Sequence, residues 1–300
     1  MADPELNDLR PSRPSRAQIR RRRTVALVAL LVAAGAVAFA VHAALPHVHH
    51  HATPPPAPPP PKPFRIIFPE GFTRLQMAGR VAVVARIAQG KHRGHVRLAR
   101  SAYVAATNRI VVPCFTPKVR HQVEGFLFPA TYDFVAKTTS KQLVADQVQA
   151  FCRDWKTVNL AYARSKNLTP YDVLTIASMV EKEAEAPEER RLIAAVIYNR
   201  LHARMPLGID ATLRYGLHIS PDQSIRESQL KSSSPYNTRN RAGLPPTPIA
   251  NPGLAALQAA AHPAKVDYLY FVRKPDKVHH FFTASASAFA QYECAHGYGC

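Results

Sequence analysis

An uncharged apolar stretch, residues 24–45, constrains this chain most, since it is long enough to cross a bilayer as a helix. Arginines are concentrated in the segment directly before it, residues 1–23, and the positive-inside rule places that segment in the cytoplasm. A cleaved signal peptide is the alternative, because Ala38-Phe39-Ala40 resembles a cleavage site. The apolar run is longer than the roughly 7–15 residues usual in signal peptides, so we predict an uncleaved, single-pass membrane anchor.

The composition changes again after this stretch. Residues 46–63 are rich in His and Pro, which predicts an extended linker, and we assign its histidines no role in metal binding. From Phe64 onward the sequence is typical of a globular protein. With the N-terminus in the cytoplasm, we expect the bulk of the chain to be extracytoplasmic and held at the cell (inner) membrane.

The formal net charge of +19 favours an anionic partner, such as a membrane surface, an acidic wall polymer or nucleic acid. No acidic residue falls between Glu70 and Glu124, so this region forms either a basic face for an anionic polymer or an ordinary solvated surface. Motifs for nucleic-acid recognition are absent, and we predict no nucleic-acid partner.

Most catalytic chemistries lack their motifs here. The sequence has no GxSxG elbow, no Walker loop, no Rossmann glycine pattern and no clustered metal ligands in its globular part. We therefore predict no cofactor and no metal. The four cysteines either form one or two disulfides in an exported chain, with Cys294 and Cys300 near enough to close a short loop, or they stay free thiols.

Carboxylates remain as candidates for catalysis. Thr169, Pro170 and Asp172 predict the start of a helix whose next eight residues are mostly apolar, and the charges Glu181, Lys182 and Glu183 follow. Residues 181 and 183 of a helix differ by about 200° around its axis, so only one of the two glutamates faces a given cleft. Spacing does not choose between them, and surface ion pairs are the alternative role for both.

Motifs spread over residues 64–283 resemble, in the same order, those of the endolytic murein transglycosylase family (MltG or YceG-like). They are IIFPEG, EGFLFPATYDF, ASMVEKEAEAPEERRLIAAVIYNRL, MPLGIDATLRYG, SPYNT, GLPPTPIANPG and YLYFV. The resemblance implies an α+β fold that follows the transmembrane helix. It comprises a small LysM-like α+β domain, residues 64–123, and a larger, mainly helical YceG-like catalytic domain, residues 124–300, with a small β-hairpin.

The resemblance also implies roles for individual residues. Glu183 is the catalytic acid, although Ala184 follows it where the family often has Thr. Asp210 is a supporting or substrate-binding group, and we expect sugar contacts from Tyr236, Asn237 and Thr238. The implied reaction cleaves MurNAc-β-1,4-GlcNAc bonds within peptidoglycan, gives 1,6-anhydro ends and terminates growing strands. Glycan strands are the expected partner, and a penicillin-binding protein synthase is a candidate one.

Two other hypotheses stay open from the sequence. The chain is a non-catalytic peptidoglycan-binding scaffold that keeps the fold, or it is a basic nucleic-acid binder. The residues 284–300 depart from the His-containing end that is common in the family, and no role is assigned to them.

Overall fold

The computed structural model describes residues 16–44, 63–92, 95–108, 111–115, 123–220 and 222–298. Its contacts divide the chain into two compact units, Met1–Pro59 and Pro60–Cys300. Of the first unit the structure describes one helix, α1 (Arg16–Ala44), which is long and apolar enough to cross a membrane. This helix agrees with the predicted anchor, whereas nearly all of the predicted linker lies outside the described residues.

The described part of the second unit is mainly helical and carries two short antiparallel pairs of strands, which confirms the α+β class. The strands are β1 (Phe64–Ile67), β2 (Thr131–Phe134), β3 (Tyr270–Arg273) and β4 (His280–Thr283). The helices are α2 (Arg74–His92), α3 (Arg100–Thr107), α4 (Ser140–Trp155), α5 (Ala161–Ser165), α6 (Pro170–Glu183), a 3₁₀ helix (Pro187–Glu189), α7 (Arg190–His202), α8 (Asp210–Gly216), α9 (Glu227–Leu230), α10 (Leu254–Ala261) and α11 (Ala286–Ala295).

Helix α6 lies in the core of this unit. Its residues 173–180 are all buried, and the helix packs against α7, α8 and α10. The predicted start is confirmed, because Thr169 and Asp172 form a capping box in which each side chain accepts the other's backbone N–H. Inside the helix, the Ser178 hydroxyl accepts the backbone N–H of Ile249 at 3.0 Å. The capping box fixes the start of α6, and the Ser178 contact holds the C-terminal half of the helix against residue 249.

The two parts of the globular unit that the sequence separates are joined by backbone pairing. Strand β1 pairs with β2, so that Phe64 lies opposite Phe134 and Ile67 opposite Thr131. Helix α3 also packs against α4. Both contacts cross the predicted boundary between residues 123 and 124. That boundary, and the LysM-like character of residues 64–123, stay predictions.

A disulfide joins Cys114 to Cys152 of α4. Cys294 is disulfide-bonded as well, while Cys300, which the sequence offers as its partner, lies outside the described residues. The structure thus decides for disulfides over free thiols at the cysteines it describes. The Cys114–Cys152 bond ties residues 111–115, which form no helix or strand, to the helical core.

Replacing both Cys114 and Cys152 by Ser should lower the free energy of unfolding by about 2–4 kcal/mol. The bond closes a loop with a sequence separation of 38 residues, and its loss returns that chain entropy to the unfolded state. Urea unfolding of the globular unit, followed by circular dichroism, measures the change. An unchanged midpoint with an unchanged slope would show that the disulfide does not stabilise the fold.

Candidate active site

Three consecutive charged residues at the end of α6 have different surroundings. The Glu181 carboxylate accepts a hydrogen bond from the backbone N–H of Gly253 at 3.0 Å. Gly253 is the N-cap residue of α10 and has no side chain to satisfy that helix end, so Glu181 takes over this function. Burial raises the pKa of Glu181. The next residue of α6, Lys182, contacts the segment before α2, with its Nζ 3.5 Å from the carbonyl oxygen of Gly71.

Glu183, the last residue of α6, is the other carboxylate. The residue is half-buried, and removal of its carboxyl group from water raises its pKa to about 7. The cations Arg273 and Lys182 and the backbone N–H of Ala211 act in the opposite direction, while the negative charge of Asp210 raises the pKa further. Near neutral pH this group exists in both protonation states, as a general acid and base requires.

The helix face that leads to Glu183 is apolar. Ile176, Met179 and Val180, which precede it at helical spacing, are fully buried. Glu183 therefore lies at the C-terminal end of a helix face that is shielded from water. The backbone N–H of Ala211 in α8 and the guanidinium of Arg273 in β3 both act on its carboxyl group, so these two elements lie near it.

Asp210 is the first residue of α8 and influences Glu183 electrostatically. Its carboxylate pairs with the guanidinium of Arg239, with 2.7 Å between Oδ1 and Nε, and both side chains are partly exposed. The structure thus brings Asp210 into the surroundings of Glu183, and its role as a supporting or substrate-binding group stays a prediction. Sequence reasoning missed Arg239, although it directly follows the SPYNT motif.

The loop that carries Tyr236, Asn237 and Thr238 is held by internal hydrogen bonds. Asn237 is fully buried and donates to two backbone carbonyls of residues 230–232. Thr238 is also buried, and its hydroxyl lies 2.9 Å from that of Thr212 in α8. Tyr236 is half-buried and its hydroxyl lies 2.8 Å from that of Thr247. These contacts fix the loop against α8, and the predicted sugar contacts of the three residues stay predictions.

Glu124 is a buried carboxylate that sequence reasoning missed as a site. It is 2% exposed and accepts hydrogen bonds from the Arg74 backbone N–H at 2.8 Å, the Asn251 amide at 2.7 Å and the Tyr215 hydroxyl at 3.1 Å. Burial raises its pKa to about 7 despite these donors. The one available signal was an acidic residue at the start of the aromatic EGFLFPATYDF motif.

A cavity of about 660 Å³ lies away from these carboxylates, between α5, α7 and residues 263–268. Tyr162, Tyr198 and Tyr268 line it, and Glu183 and Asp210 do not. The Tyr198 hydroxyl is already engaged with the Ala260 carbonyl at 2.8 Å. This cavity is therefore no part of the surroundings of Glu183, whose catalytic role stays a prediction. Over the described residues, His, Cys, Asp and Glu form no cluster suited to a metal ion.

A helix that ends in a desolvated carboxyl group, beside a second, ion-paired acid, defines a candidate acid–base site on an α+β fold. The model of the YceG-like family matches residues 32–293, and the chain belongs to that family. The resemblance stated from the motifs is thereby confirmed.

Named relatives are similar to this chain over part of their length. The chain is 39% identical over 163 residues to the endolytic murein transglycosylase of Bacillus subtilis, covering 53% of this chain and 44% of the relative. It is 34% identical over 223 residues to that of Streptococcus pneumoniae, covering 69% and 40%. The chain thus spans less than half the length of these curated relatives.

A solved structure supports the fold. The crystal structure of a YceG-like protein from Listeria monocytogenes matches this chain with a TM-score of 0.61 and 28% sequence identity. The match covers 76% of this chain and 75% of that one.

Glu183→Gln should stabilise the protein at pH 8. The folded pKa of about 7 lies above the ordinary value of 4.5, so the contribution of this group to stability is complete below pH 4.5 and is lost as the pH rises through 7. Gln removes that loss, worth on the order of 1–3 kcal/mol. Urea unfolding at pH 4 and pH 8 measures it. A variant that is equally or less stable than wild type at pH 8 would contradict the desolvation of Glu183.

Glu181→Ala should instead destabilise the protein, by about 1–2 kcal/mol, since the N-terminus of α10 loses its hydrogen-bond acceptor. Glu181→Gln is the matched control, because its amide oxygen still accepts from Gly253, and we expect it to stay close to wild type. Thermal or urea unfolding at pH 7 compares the three proteins. Equal losses in both variants would mean that the charge, not the hydrogen bond, holds α10.

Proposed function

We propose that this protein is a membrane-anchored endolytic lytic transglycosylase that cleaves MurNAc-β-1,4-GlcNAc bonds in peptidoglycan strands. The observation that carries the proposal is the Glu183 carboxyl group, held at the dry end of α6 with a pKa of about 7. The names of the Bacillus and Streptococcus relatives support the same activity. The product is a strand with a 1,6-anhydro-MurNAc end.

The protonated Glu183 donates its proton to the glycosidic oxygen while the bond from that oxygen to C1 of MurNAc breaks. The resulting carboxylate accepts the proton of the MurNAc 6-hydroxyl, whose oxygen bonds to C1. Glu183 is thereby protonated again, and no water is consumed. The internal hydroxyl replaces the water or the nucleophilic carboxylate of the common two-carboxylate glycosidases, so one acid suffices.

Asp210 and the 236–238 loop support this chemistry. The negative charge of Asp210 disfavours the ionised form of Glu183 and so retains the proton before cleavage. Its ion pair with Arg239 keeps Asp210 in place. Tyr236 contacts the sugar chain, and the buried side chains of Asn237 and Thr238 serve this contact indirectly by holding the loop in shape.

We place the reaction on the extracytoplasmic side of the cell membrane. Arg20 to Arg23 lie in the N-terminal part of α1, which favours a cytoplasmic N-terminus. The Cys114–Cys152 disulfide is typical of a domain that folds in an oxidising compartment. At this location the enzyme acts on strands that are still being made and terminates their elongation, with a penicillin-binding protein synthase as the candidate partner.

Mass spectrometry of digested murein tests the proposal. Wild-type protein should release fragments with anhydro ends, and Glu183→Gln should lower the rate by about 10²–10⁴-fold, because a general acid contributes that much. Glu185→Gln is the matched control: it removes an exposed carboxylate two residues away and should retain the wild-type rate.

Two outcomes would contradict the proposal. Anhydro ends released by Glu183→Gln at the wild-type rate would exclude Glu183 as the acid. A folded wild-type protein that binds murein and releases no anhydro ends would favour the alternative, a non-catalytic peptidoglycan-binding scaffold.

A further inference from the structure

The β3–β4 hairpin returns the chain to the end of α6. Arg273 is the last residue of β3, and its Nη2 lies 3.5 Å from the main-chain carbonyl oxygen of Glu183. In the hairpin, Arg273 lies directly opposite His280, the first residue of β4. Directly opposed residues of an antiparallel pair project from the same face of the sheet. Arg273 and His280 therefore share the hairpin face that meets the end of α6 and the 3₁₀ helix.

His280 is fastened to that 3₁₀ helix by a buried pair. Its Nδ1 lies 2.7 Å from Oε2 of Glu189, and its backbone N–H donates to Oε1 of the same carboxylate at 2.9 Å. The side chains of His280 and Glu189 are 1% and 8% exposed. The ring of Phe271 meets the imidazole edge-on, with centroids 5.4 Å apart. A buried pair with several hydrogen bonds holds one geometry, since breaking it would leave uncompensated polar groups.

We propose that Arg273 is a positioning residue that acts through Glu183, and that the buried Glu189–His280 pair holds Arg273 in place. This inference rests on the proposed function. These residues form a closed ring of connections. Glu189 follows Glu183 by six residues along the chain, and its carboxylate contacts the imidazole of His280. His280 lies opposite Arg273 in the hairpin, and the Arg273 guanidinium contacts the main-chain carbonyl of Glu183. The short ring fixes the start of the flexible arginine side chain relative to the reacting carboxyl group.

Arg273 stabilises the carboxylate that forms when Glu183 gives up its proton. The charged groups that act on Glu183 are Lys182 from α6, Asp210 from α8 and Arg273 from β3, with Arg239 paired to Asp210. Among them Arg273 has the largest effect, and it lowers the pKa of Glu183. Because desolvation acts in the opposite direction, Arg273 keeps the acid able to release its proton near neutral pH.

The pH dependence of kcat separates this role from a structural one. Activity needs protonated Glu183 and so falls as the pH rises through its pKa. Arg273→Met removes the cation, raises that pKa and should move the alkaline limb upward by about one pH unit. It should also lower kcat at the optimum by about tenfold. Arg273→Lys restores the charge and should return the limb towards its wild-type position.

Lys274→Met is the matched control, because it removes the next charge on the chain, which lies outside the groups acting on Glu183. It should leave the limb in place. His280→Gln, which breaks the pair with Glu189, should reproduce part of the Arg273→Met shift. If Arg273→Met does not fold, Arg273→Gln tests the same loss of charge. A folded Arg273→Met or Arg273→Gln protein with the wild-type limb would overturn the inference.

A second readout keeps this inference separate from the proposed function. If wild-type protein releases no anhydro ends, the proposed function fails, and titration of the Glu183 carboxyl carbon by NMR still measures the effect of Arg273. An upward shift in Arg273→Met, reversed in Arg273→Lys, supports the charge partnership. The same midpoint in all three proteins overturns it.

Discussion

Burial of α6 demands that the charges at its C-terminal end be paired, hydrogen-bonded or neutralised, because an isolated ionised group inside a protein is costly. The fold meets this demand separately for the two half-buried glutamates, whereas Lys182 between them is exposed. Glu181 caps α10, Lys182 turns back to the Gly71 carbonyl, and Glu183 is left with a raised pKa. Protonation removes the charge of Glu183 and so lowers the free-energy cost of burying its carboxyl group at the end of the helix. The protonated group is also a proton donor.

The buried side-chain amide of Asn251 joins the segments around this helix. Asn251 accepts the backbone N–H groups of Gly125 and Leu127, both at 2.9 Å, and its own amide donates to the Phe72 carbonyl and to Glu124. One side chain thus links residues near β1, the aromatic motif and the approach to α10. Its four hydrogen bonds use the full capacity of an amide. Because α10 packs on α6, this junction helps to set the position of Glu183 as well.

The sequence predicted the structural features that depend on residues close together along the chain. The capping box and the apolar run predicted α6, and the family resemblance implied a small β-hairpin, which the structure shows as β3–β4. Periodicity could not assign separate roles to Glu181 and Glu183. The difference between them depends on Gly253, which is distant in the sequence and donates a hydrogen bond to Glu181. Arg273 and the Glu189–His280 pair were missed for the same reason. Asn237 shows that a polar residue in a loop motif need not face a ligand, since its buried side chain donates hydrogen bonds within the loop.

Direct titration of the Glu183 carboxyl group in the wild-type protein tests the central claim most closely. Carbon-13 labelling of glutamate side chains, with Glu183→Gln to assign the signal, gives its protonation state as a function of pH by NMR. We expect a midpoint near 7. A midpoint near the ordinary value of 4.5 would show an acid that is ionised at neutral pH, and it would contradict the role of Glu183 as the proton donor.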